Sequence, residues 1–168
     1  EGGDVLAYRP ARIAFKAVDA DGMPVRGTLK IKGAELNVDI ETETIHDGMG
    51  YFTIKEELNA KRGVFIHDGK EYRVNLPSGI IRGYSVIMRQ DEDSVYVNVY
   101  RGYKINKNAR LGMTITCRGE LFGYQSALME SDSMKISFSN EGWPMGVCQF
   151  TLYNEEGKIL STRHFFNH

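Results

Sequence analysis

Apolar and polar residues alternate along most of the chain, the period-2 pattern of strands that bury one face. Ile13, Phe15 and Ala17 alternate with Arg12, Ala14 and Lys16. The turn Asp19-Ala20-Asp21-Gly22-Met23-Pro24 then breaks the pattern, as Gly and Pro do. Leu29 and Ile31 alternate with Lys30 and Lys32, and Leu36, Val38 and Ile40 alternate with Asn37, Asp39 and Glu41. These read as two paired strands around Gly33. The glycine turn His46-Asp47-Gly48-Met49-Gly50 leads into a strand from Tyr51 to Ile54. Val64 to Ile66 and the set Tyr72, Val74, Leu76 flank Asp68-Gly69, a dipeptide that favours two-residue hairpins.

Leu76-Pro77-Ser78-Gly79 closes this set, because Pro removes a ladder donor and Ser-Gly loosens the chain. A domain boundary is expected there. Alternation resumes at Tyr84, Val86, Met88 and returns at Val95, Val97, Val99 across the acidic turn Gln90-Asp91-Glu92-Asp93. Further strands are predicted at Leu111 to Cys117, Met134 to Phe138 and Cys148 to Leu152. A last hairpin turns at Asn154-Glu155-Glu156-Gly157 and returns through Ile159 to Phe166. Six or seven short strands per half, with turns roughly every 8 to 12 residues, predict an all-β fold of two tandem immunoglobulin-like sandwiches. Their expected extents are residues 1–78 and 79–168. Lys55 to Arg62 is the one stretch that suits a helical turn.

Composition agrees with this pattern. The 168 residues include Gly 18, Tyr 9 and Phe 8 but only Pro 4, a mixture suited to short strands joined by tight glycine turns. That length holds one ordinary domain or two small β domains of roughly 80 to 90 residues. A formal net charge of −1 leaves no basic surplus, so no nucleic-acid partner is expected. No apolar run approaches the roughly 18 residues a spanning helix needs, and the chain is expected to be soluble. It starts at Glu1 without an initiator Met, a signal segment or a lipid-anchoring Cys, which implies a processed protein or an excised piece.

Several local motifs together resemble one known group. Glu1-Gly2-Gly3, the strand Arg12 to Asp19 and the turn Asp21-Gly22-Met23-Pro24-Val25 resemble the opening of macroglobulin-like domains in large bacterial cell-envelope proteins. His46-Asp47-Gly48-Met49-Gly50-Tyr51-Phe52 is similar to the family's His-x-Gly-Met-Gly-x-Phe turn into a strand. Trp143-Pro144-Met145-Gly146-Val147 is similar to its Pro-x-Gly-Val segment before a terminal hairpin, and Gly157, Leu160, Arg163 and Phe165 stand where its Gly, Leu, Arg and Phe recur. The resemblance implies consecutive immunoglobulin-like domains of a longer extracytoplasmic chain related to alpha-2-macroglobulins, in the periplasm or at the outer membrane or cell surface. Membrane association would come only through the parent chain; in some members such domains precede an outer-membrane receptor plug. The thioester motif Gly-Cys-Gly-Glu-Gln is not in this sequence, and neither Cys117 nor Cys148 lies in such a setting. Covalent protease trapping is therefore not expected, and what remains implied is a scaffold or binding module.

The residues that could carry chemistry point the same way. Nucleophilic catalysis needs Ser, Cys or Thr beside an oriented base, and the spacing offers no such set. His46, His67, His164 and His168 are dispersed, and no His-x-x-x-His or Cys-x-x-Cys pair suggests zinc. Asp19, Asp21 and Gly22, like Asp91, Glu92 and Asp93, fit turn geometry better than a calcium loop. No metal, cofactor or enzymatic activity is expected; a carboxylate pair for glycoside hydrolysis depends on a separation in space, for which two small sandwiches leave little room.

Cys117 continues the apolar phase of Met113 and Ile115, and Cys148 that of Phe150 and Leu152, so both should enter the same core. A disulfide suits the oxidising envelope that the resemblance implies; two buried thiols packing as small hydrophobes is the alternative. Trp143, with Tyr100, Tyr103, Phe122 and Tyr124, invites a sugar-stacking platform, against which stands ordinary aromatic packing at a strand entrance. The expected function is a non-enzymatic structural and interaction module whose partner is another protein or a neighbouring domain. A surface glycan- or peptide-binding, adhesion-type module is the alternative.

Overall fold

A computed structural model describes residues 2–35 and 38–168. The fold is all-β: the described residues form fourteen strands and no helix. The chain divides into two compact units. One is Val5–Gly79; the other joins Ile80–His168 to the residues up to Asp4. The division thus falls between Gly79 and Ile80, and the opening residues lie outside the first unit, unlike the expected 1–78. The reason is strand β1 (Gly2–Gly3), which pairs with the second unit at Val86 and Ser85. Gly3 fits flush against that strand: a Cβ there would stand 2.4 Å from the Tyr84 carbonyl oxygen.

The first unit contains β2 (Ala11–Lys16), β3 (Thr28–Glu35), β4 (Val38–Glu43), β5 (Met49–Ile54), β6 (Arg62–His67) and β7 (Lys70–Asn75). They form a four-stranded antiparallel sheet in the order β4-β3-β6-β7 and a two-stranded sheet β2-β5. Leu29, Ile31, Ala34, Phe52, Ile54 and Phe65 are its buried apolar core. Phe15 lies across Gly50, its cross-strand partner, where a Cβ would sit 2.4 Å from Phe15 Cζ. The turns at Asp47-Gly48 and Asp68-Gly69 have positive φ at both residues, the type I′ geometry whose twist matches antiparallel strands.

Gly33 is not a turn. It sits inside β3 with φ 59°, where the register against β4 slips between Ile31 and Glu35, and its N–H donates to Asp39 Oδ1 at 2.6 Å. It marks a bulge. Leu36 and Asn37, which the alternation assigns to the second of these strands, lie outside the described residues. Lys55 to Arg62 forms no helical turn either: Asn59 N, which would bond back to Lys55 O in one, is engaged elsewhere. Glu35 Oε1 accepts from Lys55 N at 2.5 Å and Glu56 N at 2.8 Å, and Asn59 N donates to Ala34 O at 2.9 Å.

The second unit adds β8 (Tyr84–Gln90), β9 (Ser94–Arg101), β10 (Ala109–Cys117), β11 (Glu120–Met129), β12 (Ser133–Ser139), β13 (Gly146–Asn154) and β14 (Ile159–Asn167). Its sheets run β1-β8-β9-β12 and β11-β10-β13-β14. Among the described residues, fifteen buried side chains cluster in its core, against six in the first unit. Arg101 is buried with them; it donates through Nε to Ser131 O at 3.2 Å and through its terminal nitrogens to Ile105 O and Asp132 Oδ1. Strand β11 carries a bulge at Phe122, since Ile115 faces Gly123 while Thr116 faces Leu121.

Candidate functional site

In the first unit β2 edges one sheet and β7 edges the other, and between these edges the core stands open. Ile13, Phe15 and Ala17 face the core but are only half-buried, whereas Gly50, Phe52 and Ile54 on the neighbouring β5 are buried. Tyr72 is paired with buried Phe65 and so shares its face of the sheet, yet it is 48% exposed. The opening measures about 680 Å³ and is lined chiefly by Phe15, Leu29, Phe52, Phe65, Val74 and Leu76. Phe15 and Phe65 meet edge to face across it, with ring centroids 6.3 Å apart.

Its rims are strand edges. Ala17 N donates to Gly48 O at 2.8 Å, so the residues in phase with it, Phe15 and Ile13, direct their backbone groups to β5. Ala14 and Lys16 therefore turn their N–H and C=O away from β5. On β7, Leu76 N donates to Lys61 O at 3.0 Å, which puts Val74 and Tyr72 in the ladder with β6 and turns Glu71 and Arg73 outward. At one end His67 Nδ1 lies 2.6 Å from Arg26 O. Nearby Asp19 Oδ1 accepts from Asp21 N and Met23 N at 3.0 and 2.8 Å, so this carboxylate closes its own turn.

A second groove, about 510 Å³, runs between β11 and β12 of the second unit. It collects Trp143, Phe122 and Tyr124, while Tyr100 and Tyr103 lie outside its lining. Trp143 is half-buried and packs on Phe122 at 6.5 Å between ring centroids. Gly123 lets both sheets approach there, since a Cβ would stand 2.9 Å from Phe138 Cδ1 and 3.7 Å from Trp143 Cζ2. Tyr124 is 76% exposed.

The remaining sequence candidates are scattered. Cys117 and Cys148 form a disulfide and are both buried in the second core. His46 is exposed beside Asp47 at 3.0 Å, and His164 Nε2 meets Gln149 Oε1 at 3.0 Å. Asp91 Oδ1 accepts from Asp93 N and Ser94 N, closing the acidic turn. Among the described residues no group of three or more His, Cys, Asp and Glu is placed to hold a metal ion. Burial pushes the Tyr84 hydroxyl above its ordinary pKa, with the Arg101 guanidinium opposing in part.

The opening between β2 and β7 was invisible in sequence because Ile13-Ala14-Phe15 alternates like any covered strand. The polar run Lys70, Glu71, Arg73 and Asn75 on β7 was the one available sign of an edge. Neither the family models nor the curated proteins compared with this chain include a match to it.

Proposed function

We propose that the chain is a non-enzymatic interaction module: two tandem immunoglobulin-like, macroglobulin-like sandwiches within a larger extracytoplasmic envelope protein. The observation that carries this reading is the mainly apolar opening of the first unit, bounded by strand edges, with Lys16, Asp19, His67 and Tyr72 as the ionisable residues of its lining. Such a site suits apolar side chains and main-chain hydrogen bonding rather than proton transfer. Two sheets stacked over one core in each unit support the immunoglobulin-like description. The disulfide suits an oxidising compartment.

An immunoblot of fractionated native cells tests the reading. A species far heavier than 19.0 kDa in the envelope fraction supports it; a cytoplasmic species near 19.0 kDa rejects it. Exposed Tyr124 at the second groove favours a glycan-binding reading as the alternative. A glycan array on which Tyr124→Ala and Trp143→Ala bind as the parent does removes that alternative.

A further inference from the structure

The two units share a strand order, and one position in it is filled in the second and vacant in the first. Strands β9, β10, β11, β12, β13 and β14 pair as β9-β12 and β11-β10-β13-β14. Strands β2, β3, β4, β5, β6 and β7 pair in the same sequence-ordered way, as β2-β5 and β4-β3-β6-β7. In the second unit the outer edge of β9 is covered by β8, which runs antiparallel and places Tyr84, Val86 and Met88 in the core. The corresponding strand, on the outer edge of β2, is missing from the first unit among the described residues. Its place is the opening of about 680 Å³.

We infer that this vacancy receives an extended segment of a partner polypeptide, which pairs antiparallel to β2 and completes the sandwich. This deepens the interaction-module reading and rests on it. The comparison with β8 fixes the chemistry of the inward face: apolar residues at alternate positions, set above Ile13 and Phe15 and against Val74 and Leu76. The outward face is fixed by charge. Ala14 and Lys16 are exposed on that side of β2, whereas half-buried Arg12 lies over the Tyr51 ring, so Lys16 is the cation that the incoming strand meets beside a small residue. An acidic residue on the segment opposite Lys16 would answer it.

The same charges disfavour a second copy of the chain as occupant. A twofold pairing of two β2 edges centred on Ala14 sets Arg12 of each opposite Lys16 of the other, a like-charge arrangement that weakens strand pairing. The backbone supplies the anchor, since Ala14 and Lys16 offer their N–H and C=O to that side.

The test uses the full chain and synthetic peptides of about nine residues, a usual strand length. One alternates valine with Glu-Ser-Glu at the intervening positions, a second replaces both Glu by Lys, and a third disrupts the alternation at equal composition. Fluorescence anisotropy should show saturable binding of the first, with the second and third weaker on the order of tenfold. Ala14→Pro removes an edge donor that the fold itself leaves outside the β2-β5 ladder, and should weaken the first peptide on the order of tenfold. Lys16→Glu, an exposed change, should narrow or reverse the preference between the first two. Failure of every peptide to bind, or binding indifferent to apolar phase, charge and both substitutions, would overturn the inference. So would a dimer in sedimentation that Ala14→Pro disperses, because β2 would then be taken by a second copy. The native mass and compartment are read separately, so loss of peptide binding leaves the envelope-module reading standing.

Discussion

Cys117 and Cys148 stand directly opposite each other on β10 and β13 and are joined by a disulfide across a sequence separation of 31 residues. Closing a loop of that length restricts the unfolded chain by about 3 to 4 kcal/mol in the chain-entropy picture. The double variant Cys117→Ser/Cys148→Ser should therefore lower stability by roughly that amount, seen as a lower urea midpoint. Mass measurement after alkylation should find no reactive thiol before reduction and two after. Two alkylated thiols without reductant would contradict the bridge.

Arg101 should be a stability determinant of the second unit. Its buried guanidinium serves two loop carbonyls, Ser131 O and Ile105 O, besides Asp132, whose side chain is 54% exposed. Arg101→Met strips both carbonyls of their donor and should destabilise by about 3 kcal/mol. Asp132→Asn leaves those bonds in place and should lose about 1 kcal/mol or less. Equal effects of the two substitutions in chemical denaturation would mean that the ion pair, not the loop anchoring, matters.

Tyr84 gives the fold an alkaline dependence. Its pKa in the folded chain lies above the ordinary value of 10.0 because burial disfavours the phenolate. Below that ordinary value both folded and unfolded hydroxyls are protonated and its contribution is complete. As pH climbs past 10.0 the unfolded chain ionises first, so stability falls until the folded value is passed. Unfolding followed from pH 9 upward should show a shallower decline in Tyr84→Phe than in the parent; parallel curves would assign the decline to other groups.

Gly123 should resist substitution. A methyl group there meets the Phe138 ring at 2.9 Å and approaches Trp143, so Gly123→Ala forces these rings aside. A loss of about 1 to 3 kcal/mol is expected, accompanied by a change in the emission of Trp143, the chain's only tryptophan. An unchanged spectrum and midpoint would mean that β11 shifts freely.

What sequence reading could reach was set by how local the signal is. The hairpins at Asp47-Gly48 and Asp68-Gly69 are announced by dipeptides that tolerate left-handed backbone, and their flanking alternation is clean. Arg118-Gly119 makes the same two-residue reversal with φ of 52° and 86°, but arginine is not a turn signal, so the following strand was not anticipated. That strand, β11, is the longest among the described residues, and the Phe122 bulge with Gly123 disrupts its alternation. Strand β1 consists of two glycines, which carry no hydrophobic pattern at all. The Cys117 and Cys148 phases were legible, while their bond depended on a register that only the fold supplies. The vacancy beside β2 was beyond reach for a similar reason: a strand's own residues do not tell whether a neighbour exists.

The pairing of Gly2–Gly3 with β8 also has a consequence for the order of events on the ribosome. These glycines emerge before Ser85 and Val86, their pairing partners, which are translated only after the whole of Val5–Gly79. At about 5 to 20 residues per second, that is a wait of several seconds. The first unit can collapse during this interval, whereas the second cannot complete its sheet until its later strands have followed. Gly2–Gly3 thus wait without their partner strand while the intervening unit forms, and the arrival of β8 is the step that pairs them.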